Sequence, residues 1–110
     1  MSGTLLLEES AFHARVDAVL QAIERALEAD AEIDTEIGGG ILTVEFANRS
    51  KVIINRQTPN REIWVAAKSG GFHFRFDGAA WCDTRSGEPL AALLSRIISE
   101  QSGTALSIVL

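Results

Sequence analysis

The chain is short of cysteine, proline and basic residues and has no long apolar run, and each shortage excludes a class of protein. The single cysteine, Cys82, cannot form an internal disulfide, which fits a reducing compartment and weighs against secretion. Two prolines beside 46% hydrophobic and 23% charged residues make the composition of a folded chain, not of a disordered one. Nothing approaches the ~20 consecutive apolar residues of a membrane span. Leu5, Leu6 and Leu7 have no basic region before them and run straight into Glu8 and Glu9, so they do not form a signal peptide. Residues 1–9 are instead expected to be a loose tail whose leucines lean on the domain or touch a neighbour.

The shortage of bases is uneven. Residues 1–36 carry two bases, Arg15 and Arg25, against nine acids, a net of −7, whereas residues 37–110 carry eight bases against six acids, a net of +2. Such a polarised chain repels nucleic acid at its acidic end and attracts metal ions or a basic protein there.

At 110 residues the chain is long enough for one ordinary core, burying roughly two-thirds of its unfolded surface. Phe12, Val16, Val19, Leu20, Ile23 and Leu27 recur at helical spacing, predicting a helix from Ser10, as N-cap, to about Ala29. Alternation follows. Ile33 and Ile37 are placed on one face of a strand and Glu32, Asp34 and Glu36 on the other, and Gly38-Gly39-Gly40 turns into a second strand from Ile41 to Phe46. Further strands are predicted over Lys51–Arg56, Glu62–Ala67 and the alternating Phe72, Phe74 and Phe76, with a short last one over Ala80–Asp83. A second helix begins near Pro89, carries Leu90, Leu93, Leu94, Ile97 and Ile98, and ends at Gly103. Leu106, Ile108 and Leu110 alternate in a tail expected to pack back on the helices. Two amphipathic helices need one covering surface, so the predicted class is α+β: a two-layer sandwich, an antiparallel β-sheet flanked on one face by the N-terminal and C-terminal helices, αβββββα-like.

On the first helix Asp17, Gln21, Glu24 and Glu28 stack along one side, predicted to be the side opposite the buried stripe. A solvated helix face is one reading of such a row. Two details favour a binding surface. Glu24 and Glu28 repel at i,i+4 by about 0.2–0.5 kcal/mol, and Glu28 and Asp30 crowd the helix C-terminus, where the macrodipole disfavours each by about 0.3–1 kcal/mol. Selection for stability alone would place lysine there. With Glu32, Asp34 and Glu36 the row becomes a ridge of carboxylates, ligands suited to hard cations such as iron, manganese, magnesium and calcium. No histidine–cysteine cage accompanies them, so binding is expected to be weak and exchangeable. His13, one turn before Asp17, is either an added nitrogen ligand or a surface histidine with no such role.

Alternation in the fourth strand buries Ile63 and Val65 and turns Trp64 to the opposite face, where it is either a contact residue or covered under a loop. Asn55, Gln57 and His73 share that outer face. Trp81 reads as structural. Cys82 has no partner for nucleophilic chemistry. Gly38-Gly39-Gly40 lies between strands without a following Lys-Ser/Thr, which removes a phosphate loop, and the charge and scarcity of exposed aromatics speak against RNA.

Four segments carry a family likeness: Ile41-Leu-Thr-Val-Glu-Phe46, Ser50-Lys-Val-Ile-Ile-Asn-Arg-Gln57, Ile63-Trp-Val-Ala-Ala-Lys-Ser-Gly-Gly-Phe-His-Phe74 and Asp83-Thr-Arg-Ser-Gly-Glu88. From about Ser10 onward the chain resembles the frataxin family in its bacterial form. The resemblance implies a cytoplasmic iron-binding protein of iron–sulfur cluster assembly that contacts the cysteine desulfurase and the scaffold protein, with no nucleic acid and no membrane among its partners. It further implies a monomer, with iron-dependent oligomers as a further state, that acts by binding without catalysis; an iron-oxidising, ferroxidase-like protein is the alternative. Iron and the basic surface of the desulfurase are assigned by the resemblance to Asp17, Glu24, Glu28, Asp30, Glu32, Asp34 and Glu36. Partner docking is assigned to Asn55, Arg56, Gln57, Trp64 and His73.

Overall fold

The stripe Phe12, Val16, Leu20, Ile23 and Leu27 is buried along the first helix, α1 (Glu9–Leu27), in a computed structural model that describes residues 7–110. Its start departs from expectation. Ser10 lies inside the first turn and donates to Glu8 Oε1 (3.0 Å), while the Phe12 amide donates to the Glu8 carbonyl (2.8 Å), making Glu8 the cap residue with no side-chain cap. Residues 1–6 of the expected tail lie outside the described residues. Leu7 is half-buried against the core, and its carbonyl accepts from Arg61 Nε at 2.9 Å.

Six strands follow: β1 (Asp34–Gly38), β2 (Ile41–Glu45), β3 (Lys51–Gln57), β4 (Glu62–Ala67), β5 (Gly70–Phe76) and β6 (Trp81–Asp83), before α2 (Leu90–Ser102). They form one antiparallel meander in the order β1-β2-β3-β4-β5-β6, so every connection is a short turn; β6 is the short last strand expected over Ala80–Asp83, and the αβββββα outline is one strand short of the six observed. Register fixes the faces. Leu42 sits opposite Ile54, Ile54 opposite Val65, and Ile63 opposite Phe74; all are buried, and all join the α1 and α2 stripes in one core. The other face carries no helix, as the exposed Ile41 and Ile53 demonstrate.

Between α1 and β1 the chain makes two tight turns instead of a longer strand. Asp30 Oδ1 accepts the Glu32 amide at 2.9 Å, the local bonding by which an aspartate side chain competes with a ladder. Glu32 therefore precedes the strand, and Ile33 is buried before β1 begins. At the β1–β2 turn Gly40 has φ +79°, the left-handed region that favours glycine, and a Cβ built there would stand 3.0 Å from Arg56 Nε, so a side chain would also press on Arg56.

Two polar devices fasten α2. Ser99 Oγ accepts the Leu106 amide (2.9 Å) and donates to the Leu106 carbonyl (2.9 Å), while Ser95 Oγ accepts the Ile108 amide (2.8 Å). One helical turn thus matches two residues of extended tail, which brings Ile108 into the core. At the other end Gln101, 8% exposed, bonds three separate backbone and side-chain partners on the sheet turns. Gly103, at φ +76°, then ends the helix in the left-handed region that glycine tolerates.

Candidate functional site

At roughly 100° per residue, Asp17, Gln21, Glu24 and Glu28 fall about 80–140° from the centre of α1's buried stripe. They occupy a flank of the helix, not the face opposite the core. The other flank carries Arg15 and Val19, which line a cavity with Phe76, Trp81 and Leu90 and so face β6 and α2. The acidic flank consequently faces the edge strand β1, with which α1 is in contact.

On β1, Asp34 pairs with Glu45 and Glu36 with Thr43, both on the helix-free side, whereas Thr35 and Ile37 pair with the buried Val44 and Leu42. Glu28, Glu32, Asp34 and Glu36 are exposed, and Glu24 and Asp30 are half-exposed. The edge is continuous in charge but divided in direction, helix acids on one side of the sheet plane and strand acids on the other. Among the described residues no three His, Cys, Asp or Glu side chains gather closely enough to hold a metal ion.

Asp17 departs from the expected row. The Arg56 guanidinium bonds its carboxylate, and Arg56 Nη1 also donates to His13 Nδ1 at 2.9 Å, while His13 Nε2 stands 3.6 Å from Glu9. Asp17 is thereby compensated, and His13 is bonded within the fold. Arg56 itself corrects a second expectation. It shares the inward parity of Val52 and Ile54, so its side chain passes under Gly40 toward α1 and away from the partner face.

Asn55, Gln57, Trp64 and His73 do lie on the helix-free face. Asn55 is opposite Trp64, and Trp64 is opposite His73, so the three form a row across β3, β4 and β5. The indole and imidazole stack with centroids 4.3 Å apart and planes 10° from parallel. Trp64 is half-exposed, which resolves the sequence ambiguity in favour of a surface ring. Trp81, by contrast, is 6% exposed and packs edge-on against Phe12.

Sequence reasoning passed over Glu62 and Arg75. Glu62 sits on the same outer face yet its side chain is 6% exposed, accepting from Arg75 Nη2 at 2.6 Å and from Trp64 Nε1 at 2.8 Å. The signal was available only through register: Glu62 and Arg75 are cross-strand partners, which their separation in sequence conceals.

The surroundings of Cys82 favour its thiol over the thiolate. Burial pushes its thiol pKa up, as does the negative charge of Asp77, whose carboxylate accepts the thiol at 3.7 Å. No helix among the described residues is long and apolar enough to cross a membrane.

Repulsion along the edge has a measurable consequence. Raising ionic strength from 0.01 to 0.3 M, or adding millimolar Ca²⁺, is expected to raise the melting temperature by roughly 2–5 °C, since the like-charge pairs cost a few tenths of a kcal/mol each and salt screens them. A flat series in differential scanning calorimetry speaks against uncompensated charge.

The family model of the frataxin-like domain matches residues 5–104. The chain is 50% identical over 102 residues to the iron-sulfur cluster assembly protein CyaY of Dechloromonas aromatica, covering 91% of this chain and 97% of that protein. Among solved structures, frataxin from Psychromonas ingrahamii superposes with a TM-score of 0.87 at 34% identity, covering 94% of this chain and all of that one. Trimeric yeast frataxin from Saccharomyces cerevisiae, in a ferrous complex, superposes with a TM-score of 0.69 at 26% identity, covering 94% of each chain.

Proposed function

The chain belongs to the frataxin-like family, and from that premise we propose that it serves iron–sulfur cluster assembly as a cytoplasmic binding module with two working surfaces. The acidic edge takes up ferrous or ferric iron, as cargo, and meets the basic surface of the cysteine desulfurase. The helix-free sheet face docks on the scaffold protein. In this way the protein modulates cluster formation or supplies iron to it, as a monomer that iron can drive to larger assemblies.

The observation that carries the reading is the run of carboxylates without basic partners among the described residues, Glu24, Glu28, Asp30, Glu32, Asp34 and Glu36, along one edge of a molecule whose remainder is net positive. Hard cations bind carboxylate oxygen, and spread carboxylates hold them loosely, with several overlapping sites instead of one cage. Such a spread favours exchangeable binding over ferroxidase chemistry, which needs carboxylates converging on a defined metal pair. Asp17 contributes less than the others because Arg56 holds it.

Titration of Fe²⁺ under anaerobic conditions into ¹⁵N-labelled protein tests the metal half. Shifts and broadening are expected first at residues 24–36, in fast exchange, with Asp17 and His13 responding weakly. Perturbations confined to the sheet face or to α2 would overturn the assignment. Co-purification with the cysteine desulfurase and with the scaffold, each tested separately, addresses the partner half.

A further inference from the structure

A carboxylate on an outward-facing strand position is ordinarily hydrated, yet the Glu62 side chain is 6% exposed. Both its oxygens are committed. Oε2 accepts from Arg75 Nη2 at 2.6 Å, Oε1 accepts from the Trp64 indole N–H at 2.8 Å, and His73 Nδ1 stands 3.9 Å from that same Oε1. Arg75 and His73 lie on β5 at alternate positions of one face, each opposite a β4 residue of the cluster, so two adjacent cross-strand pairs enclose a single buried charge. Arg75 is half-exposed, and its fork reaches down to the carboxylate from the rim.

This arrangement has a direct effect on the ring above it. An indole on a sheet surface has two soft side-chain torsions, and its N–H seeks an acceptor wherever one offers. Here the acceptor is supplied from beneath, two residues earlier on the same strand, which fixes the ring plane and turns the N–H edge inward. The His73 imidazole lies parallel to that plane at 4.3 Å, extending it into a two-ring platform. We infer that Glu62, held by Arg75, is a positioning residue for the Trp64–His73 platform, and that this platform offers its partner ring faces and no indole donor. The matching group on the partner is then an apolar side chain or a flat cation laid against the rings, not a carbonyl or carboxylate awaiting the N–H. The second half of this inference rests on the sheet face being a docking surface; the positioning role stands on the geometry alone.

The test has a part in the free protein and a part with the scaffold. In the free protein, the stacked imidazole protons of His73 should resonate upfield, under the indole ring current, and the Trp64 indole N–H should be shifted downfield by its charged acceptor. Glu62→Ala should remove both displacements, and Glu62→Gln, which keeps an acceptor oxygen, should retain the stacking displacement. Scaffold binding is expected to weaken about tenfold in Glu62→Ala and far less in Glu62→Gln, as truncation at a docking centre does. On scaffold addition the wild-type indole ring protons should move while the indole N–H stays in place. Unchanged His73 and indole resonances in Glu62→Ala overturn the positioning role, and a displaced indole N–H on binding overturns the donor-free platform. If the wild-type protein fails to bind the scaffold at all, the assembly reading falls, and the free-protein spectra still decide the role of Glu62.

Discussion

Replacing Gln101 with alanine should lower the melting temperature by roughly 10–20 °C, the largest effect expected of any polar substitution in the molecule. The side chain is 8% exposed at the end of α2 and makes three bonds: its Oε1 accepts the Lys68 amide (3.0 Å), and its Nε2 donates to Ser50 Oγ (3.0 Å) and to the Lys51 carbonyl (3.2 Å). Those partners are Ser50 in the β2–β3 turn, Lys51 at the start of β3 and Lys68 in the β4–β5 turn, so one side chain ties α2 to both turns. Each net hydrogen bond is worth about 1 kcal/mol, and orphaned partners add to the cost, so a loss of about 2–4 kcal/mol is expected. For a domain of this size each kcal/mol corresponds to about 4–8 °C at the smaller end of the scale. Gln101→Met, which keeps length and volume but no polar atoms, should lose nearly as much. Thermal melts followed by circular dichroism decide it, and a fall below about 1 kcal/mol for both variants would mean that the turns hold themselves.

The second large effect concerns binding and runs opposite to stability. Reversing Glu24, Glu28 and Asp34 to lysine should weaken the interaction with the cysteine desulfurase by about 100-fold or more at physiological salt, because facing potentials are turned from attraction to repulsion. The same variant should melt no lower than the wild type. Lysine at position 28 complements the C-terminus of α1, and the i,i+4 repulsion with position 24 is merely exchanged for another of like size. Opposite directions in two assays make the prediction sharp: a variant that loses binding because it unfolds would show both effects with one sign. Retention of desulfurase affinity within about threefold, measured by titration calorimetry at 0.15 M salt, would remove the acidic edge from the interface.

Much of this molecule was legible in its sequence, and the parts that were not share a cause. Helical spacing from Phe12 to Leu27 and alternation from Ile41 to Phe76 report burial, and burial is what drives these elements. The class, the strand sequence, the shared face of Phe72, Phe74 and Phe76 and the outward Trp64 followed directly. Ser10 misled because capping preference is weak beside the packing that fixes where α1 starts, and Glu32 misled because Asp30 bonds its amide in a turn that alternation cannot reveal. Arg56 and Asp17 are 39 positions apart, and each looked free until the sheet brought them together. The same holds for Glu62 and Arg75. Local patterns expose which way a residue faces, whereas pairing between distant charges depends on register and on how helix and sheet cross.

One consequence follows from the arrangement of strands in plain sequence order. Because β1 is an edge and carries its acids beside those of α1, while residues 37–110 are net positive across the rest of the sheet, the molecule is an electric lever whose negative arm lies along a single margin. In the field of a charged neighbour such a lever experiences a torque over about a Debye length, near 8 Å at physiological salt. Toward a positively charged neighbour it therefore swings round before contact, and the acidic margin arrives first.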